Sequence, residues 1–124
     1  MELKVKRVGA PAAKSDGARV LVDRLWPRGH SKVELKLDAW LKEIAPSDAL
    51  RKWFDHAPGK WDGFRGRYAQ ELDANPEAVA QLQQLLREHG TVTVLFGSHE
   101  AHYNNAVALS EYMRKRMPRK RTTG

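Results

Sequence analysis

The 124-residue sequence predicts a small α/β domain, three-layer-like, in which a short, mostly parallel sheet is flanked by helices. Three observations predict it. Apolar and β-branched runs mark strands near the start of the chain and again at residues 91–96. Long segments of helical period stand between them. Strands that succeed one another across long helical stretches pair in parallel through crossovers. The length fits one domain over residues 1–116, with a basic tail at 117–124 expected to be disordered.

The elements follow in order. LKVKRV (3–8) alternates apolar and basic residues, as a half-exposed strand does. GAPAAKSDGA is turn material. RVLVDRL carries three consecutive apolar residues, Val20, Leu21 and Val22, which suits a strand covered on both faces. WPRGHSK ends it, because Pro27 cannot extend a ladder and Gly29 permits a tight turn. Trp40, Leu41 and Ile44 then line one helical face, with Asp38 as N-cap and Pro46 closing the segment. The stretch 35–45 is also a candidate for a further edge strand.

Ser47 caps a short helix whose apolar side is Leu50, Trp53 and Phe54. Trp61, Phe64, Tyr68 and Leu72 recur at helical spacing. Asn75 as cap and Pro76 at the first helical position open another helix, with Val79, Leu82, Leu85 and Leu86 inward and Gly90 as its stop. TVTVLF is the clearest strand. After the turn GSHE, a last helix is expected over about 102–116, with Ala106, Leu109 and Met113 facing inward. Trp40, Trp53 and Trp61 fall on apolar helical faces, so core packing is their expected role.

Composition excludes several function classes. The chain is 41% hydrophobic, enough for one core, and has no cysteine, so disulfides, thiolate zinc sites and cysteine nucleophiles are ruled out. MELKVKRVGAP contains no apolar signal region, and no stretch approaches the ~20 apolar residues that span a bilayer. A cytoplasmic protein without a membrane partner is the expectation. The net charge of +7 is mostly local. RKRMPRKR (114–121) holds six of the 22 Lys and Arg residues, and subtracting them leaves 16 against 15 acidic residues. That tail offers salt-sensitive attraction to nucleic acid, the alternative being a solvated chain end.

Candidate chemistry gathers at two segments. In open α/β sheets, ligands bind beyond the carboxyl ends of the strands. DRLWPRGH (23–30) and GSHEAHYNN (97–105) both follow strands, so parallel pairing brings Arg24, Trp26 and Arg28 to the same edge as Ser98, His99 and Asn104. Arginine engages phosphate or carboxylate through two N–H groups at once. Gly97 and Ser98 precede a helix whose free N–H groups favour negative charge. Trp26 supplies a wall for a ring. Asp23 orients Arg24, or acts as a base if burial raises its pKa, with His99 as its acid–base companion. The competing reading has Asp23 in an internal ion pair with one arginine and Trp26 in the core.

No metal or cofactor is expected. HEAHY resembles H-E-x-x-H, but Tyr103 stands where the second zinc ligand belongs, and His102 has no third partner at suitable spacing. His56 and His89 sit at helix C-termini, where a cation caps the helix. His30 lies in a loop without an assigned role. No P-loop, G-x-G-x-x-G or G-x-S-x-G occurs, and Ser98 beside His99 is not a nucleophile–base pair by spacing alone.

Four phrases in this order, RVLVDRLWPRG, WLKEIAPS, LRKWFDHAPGKWDGFRGRY and NNAVAL, resemble the YeaO-like family of small bacterial proteins, a domain of unknown function. The resemblance spans Leu3 to about Met113. It implies a compact cytoplasmic α/β protein and no particular reaction. The family's DRLWPRG falls on Asp23 to Gly29, its APS turn on Ala45 to Ser47, and its WF-x-H on Trp53, Phe54 and His56. Its usual His-Asn pair opening the last helix is altered here, since Tyr103 precedes Asn104.

These features lead first to a cytoplasmic protein that binds a small phosphate- or nucleotide-like anion, with acid–base or hydrolytic chemistry at Asp23 and His99 if it has any. Alternatives are a nucleic-acid-associated protein using the tail with Lys4, Lys6 and Arg7, and a protein–protein adaptor without a ligand.

Overall fold

Four strands, β1 (Glu2–Arg7), β2 (Ala18–Leu21), β3 (Ala39–Trp40) and β4 (Thr91–Phe96), form one parallel sheet in the order β1-β4-β2-β3. The computed structural model describes residues 1–55 and 57–117. The capping role expected of His56 and the basic tail from residue 118 onward lie outside the described residues.

Alternation along the strands sorts side chains between two faces. Leu3, Ala18, Val20, Val92 and Val94 share a core with residues of four helices, α2 (Asp48–Phe54), α3 (Trp61–Asp73), α4 (Pro76–His89) and α5 (Asn105–Arg116). Phe54, Phe64, Tyr68, Leu82 and Leu109 are its larger members. The opposite face is smaller. Leu21 and Leu95 meet Val8 and Leu35 there, with Trp26 and Leu37 against them, beneath the one-turn helix α1 (Lys32–Leu35).

The connection from β1 to β2 contains only a 3-10 turn, Lys14–Asp16, instead of a helix. The basic residues of β1 secure it. Lys4 Nζ donates to Ser15 O at 2.8 Å, and Lys6 Nζ donates to Pro11 O at 2.9 Å and to Asp16 Oδ1 at 2.8 Å. Asp16 Oδ2 also accepts from Ala13 N and from the buried Arg19. Gly17 enters β2 at φ +64°, ψ −139°, a conformation open essentially to glycine, and a Cβ there would overlap the Thr91 carbonyl.

Most expected elements form where the spacing places them, and three expectations change. Residues 38–44 are not a helix: β3 is followed by a 3-10 turn, Lys42–Ile44. The sheet edge captures this backbone, since Asp38 N donates to Arg19 O and Leu41 N to Leu21 O. Asp38 therefore accepts from Arg19 N at 2.8 Å rather than capping a helix, and the edge-strand alternative for 35–45 holds. The last helix begins at Asn105, because Glu100 Oε2 accepts from the N–H groups of His102 and Tyr103 and holds a turn there. Of the tryptophans expected in the core, Trp40 is 37% exposed, and Trp53 and Trp61 are half-buried against its edge.

Smaller devices match their sequence signals. Ser47 Oγ accepts from Leu50 N at the start of α2, and Pro76 opens α4. Asn75 occupies the cap position of α4, but its side chain donates to Glu43 O instead.

Candidate functional site

β2 and β4 are neighbours in register, Leu21 opposite Leu95, and Val22 N continues the ladder to Leu95 O at 3.1 Å. The segments leaving both strands must therefore meet at the carboxyl edge of the sheet. They enclose a cleft of about 420 Å³. All seven site residues expected from sequence, Asp23, Arg24, Trp26, Arg28, Ser98, His99 and Asn104, line it.

Asp23 joins the two segments. Its Oδ2 accepts from Gly97 N at 2.7 Å, its Oδ1 from Asn105 Nδ2 at 3.0 Å, and its carbonyl from Trp40 Nε1 at 2.7 Å. Burial raises the Asp23 pKa, while the bonds from Asn105 and Gly97 pull it back down. No ion pair joins Asp23 to either arginine of its own segment. A Cβ on Gly97 would come within 3.1 Å of Asp23 Oδ2 and 3.3 Å of Pro27 Cβ, so this approach is tight.

Arg19, Arg65 and Arg116 all pair with carboxylates at hydrogen-bond or contact range. Arg28, exposed at the cleft, has no ion pair or hydrogen bond among the described residues. Arg24 Nη2 donates to Ala45 O at 3.1 Å, and Nη1 lies 4.0 Å from the exposed Glu43. Arg24 Nε is buried with no hydrogen-bond partner among the described residues. A buried donor in that condition costs about 1–3 kcal/mol.

Trp26 is half-buried and forms a wall. Its Nε1 donates to His30 O at 2.7 Å, and its ring meets Trp40 edge-on at 5.4 Å. Phe54 and Phe64, stacked at 4.4 Å, supply apolar lining from α2 and α3. That stack continues through Trp61 to Tyr103, whose ring lies 5.4 Å from Trp61. Tyr103 therefore extends an aromatic cluster.

The remaining expected residues take separate positions. Ser98 Oγ accepts from Glu100 N at 2.9 Å. Arg7 Nη1 lies 3.4 Å from His99 Nδ1, an arrangement that requires the imidazole proton on Nε2. Asp23 and His99 line the same cleft with different partners, Asp23 held by Gly97 and Asn105 and His99 beside Arg7. Asn104, 2% exposed, caps α5: Oδ1 accepts from Val107 N at 3.0 Å, and Nδ2 donates to Glu100 O at 2.8 Å. The N-terminal dipole of α5 thus points its positive end toward the cleft.

Sequence reasoning missed Arg51, Asn105, Phe54 and Phe64 as lining residues. Arg51 carried a usable signal, since it lies three residues before Phe54 and shares its helix face. Among the described residues, no group of three or more His, Asp or Glu could hold a metal ion, and no helix is long and apolar enough to cross a membrane. Lys4 and Lys6, offered as nucleic-acid contacts, are engaged with the β1–β2 connection.

Comparison with known proteins yields consistent matches. Residues 2–124 match the family model DUF488-N3i, described as the inactive DUF488-N3 subclade. The uncharacterized protein YeaO of Escherichia coli (strain K12) is 40% identical over 114 residues, covering 92% of this chain and 98% of its own. An uncharacterized protein of Mycobacterium tuberculosis (strain ATCC 25618 / H37Rv) is 38% identical over 105 residues, 85% of this chain and 88% of its own. No solved structure matches at comparable significance.

Proposed function

The chain belongs to the YeaO-like family, within the group described as the inactive DUF488-N3 subclade, and we propose that it binds a small phosphate- or nucleotide-like anion without turning it over. Arg24 and Arg28 clamp the anion, Trp26 and the Phe54–Phe64 stack face its organic part, and Ser98 donates from the turn before α5. The single observation that carries this reading is the buried Nε of Arg24, without a hydrogen-bond partner among the described residues, in a cleft also lined by Arg28, which has no ion pair among them. Asp23 and His99, the candidate acid–base residues, have other partners, and the word "inactive" in the family description agrees with binding alone. In this reading Asp23 positions the cleft and Asn104 positions the helix that faces it.

Isothermal titration of the full chain with inorganic phosphate and with adenosine monophosphate tests the proposal. Saturable binding is expected, weakened at least tenfold by Arg24→Ala or Arg28→Ala. It should be unchanged in Arg65→Ala, an exposed arginine paired with Asp62 and Glu111 on α3 and α5. Because Arg28 is exposed and has no ion pair or hydrogen bond among the described residues, Arg28→Ala should leave stability within about 0.5 kcal/mol of wild type. Wild type that shows no saturable heat with either anion overturns the reading.

A further inference from the structure

The charge around the cleft bears on which anions it takes. Three arginines line it, Arg24, Arg28 and Arg51, against one carboxylate, Asp23. The formal balance of that lining is +2. Asp23 cannot serve as a movable counter-charge, because both its oxygens accept hydrogen bonds from Gly97 and Asn105. Arg51 comes from α2, a different element from the segment that carries Arg24 and Arg28. Its only ion pair among the described residues is with Asp48 at 3.4 Å, one turn earlier on the same exposed surface, and such pairs are weak and easily exchanged for a better acceptor.

Two guanidinium groups from residues 24 and 28 suffice for a monoanion. A third, brought by a different element to a lining already net positive, has use only if the ligand carries a second negative charge. A phosphate monoester meets this condition: it is close to a dianion near neutral pH and offers three acceptor oxygens to the three arginines. The apolar lining of Pro27, Pro46, Phe54 and Phe64 then suits the group esterified to it.

We infer that Arg51 is a specificity-determining residue that makes the cleft selective for phosphate monoesters over monoanions, an inference that rests on the anion-binding reading above. Three probes of similar size separate the possibilities at pH 8: phenyl phosphate, a dianion; methyl phenyl phosphate, a monoanionic diester; and benzoate. Phenyl phosphate is expected to bind at least tenfold more tightly than the other two. Arg51→Gln should abolish that preference while leaving the diester and benzoate affinities within twofold, with the thermal midpoint reporting folding separately.

Equal, Arg28-dependent binding of all three probes overturns the inference and leaves the anion-binding reading standing. The same holds if Arg51→Gln retains the preference for phenyl phosphate, or weakens all three probes alike. If none of the three binds while inorganic phosphate or adenosine monophosphate does, the inference falls and the anion-binding reading stands; if those two also fail to bind, both fall.

Discussion

Replacing Asp16 by asparagine removes the one carboxylate that faces Lys6 and the buried Arg19, which is 5% exposed. Burial alone would raise the Asp16 pKa, but hydrogen bonds from Lys6, Ala13 and Arg19 outweigh it and hold the group at about 2, against an ordinary 3.8. At 1.36 kcal/mol per pH unit, that difference is worth about 2 kcal/mol of stability. The folded-state value is the lower one, so the contribution is present above pH 4 and is lost as pH falls toward 2. About half is gone by pH 3.

Asp16→Asn also leaves Arg19 as a buried charge without its partner, which costs about 3–5 kcal/mol. Urea unfolding followed by tryptophan emission, at pH 7 and pH 3, measures both effects. The variant should be about 3–5 kcal/mol less stable at pH 7, with the gap narrowing by about 1 kcal/mol at pH 3. Asp16→Asn/Arg19→Met should be no less stable than Asp16→Asn alone, since the second change removes the stranded charge. A cost below about 1 kcal/mol at pH 7, or a gap that is the same at both pH values, would refute the reasoning.

Two further substitutions test the frame of the site. Gly17→Ala places a Cβ on the Thr91 carbonyl at a backbone conformation that L residues avoid, so it should cost at least about 3 kcal/mol or prevent folding, read by urea unfolding and soluble yield. Asn104→Ala removes the cap of α5 and should lower stability by about 1–2 kcal/mol, with phosphate affinity reduced no more than threefold if Asn104 positions the helix and does not touch the ligand.

Much of the fold was legible because periodicity reports burial. Phe64, Tyr68 and Leu72 recur at helical spacing and are buried, and Val92 to Phe96 form the buried part of β4. The segment 38–44 misled because three apolar positions fit a helix and an edge strand followed by a turn equally well. Two backbone bonds to β2 decided between them, and no local preference encodes those. Trp40 followed from the same error: on a helix it would face the core, whereas at the sheet edge it meets Trp26.

At the site, residue type and strand order carried most of the information. A chain that places DRLWPRGH and GSHEAHYNN after two strands brings them together if those strands pair in parallel, whatever the details of packing. Asp23, Arg24, Trp26, Arg28, Ser98, His99 and Asn104 could therefore be placed on one edge from the sequence alone. What each side chain does there depended on partners far away in the chain. Asp23 is held by Gly97 and Asn105, His99 stands against Arg7, Asn104 caps its own helix, and Arg51 arrives from α2. Strand position is a property of local pattern, so sequence determined which segments meet; the engagement of a hydrogen-bonding group is a property of whatever packs beside it, so only the tertiary structure decided that Arg24 holds Ala45 O and the exposed Glu43 at the cleft while Arg19 is buried against Asp16.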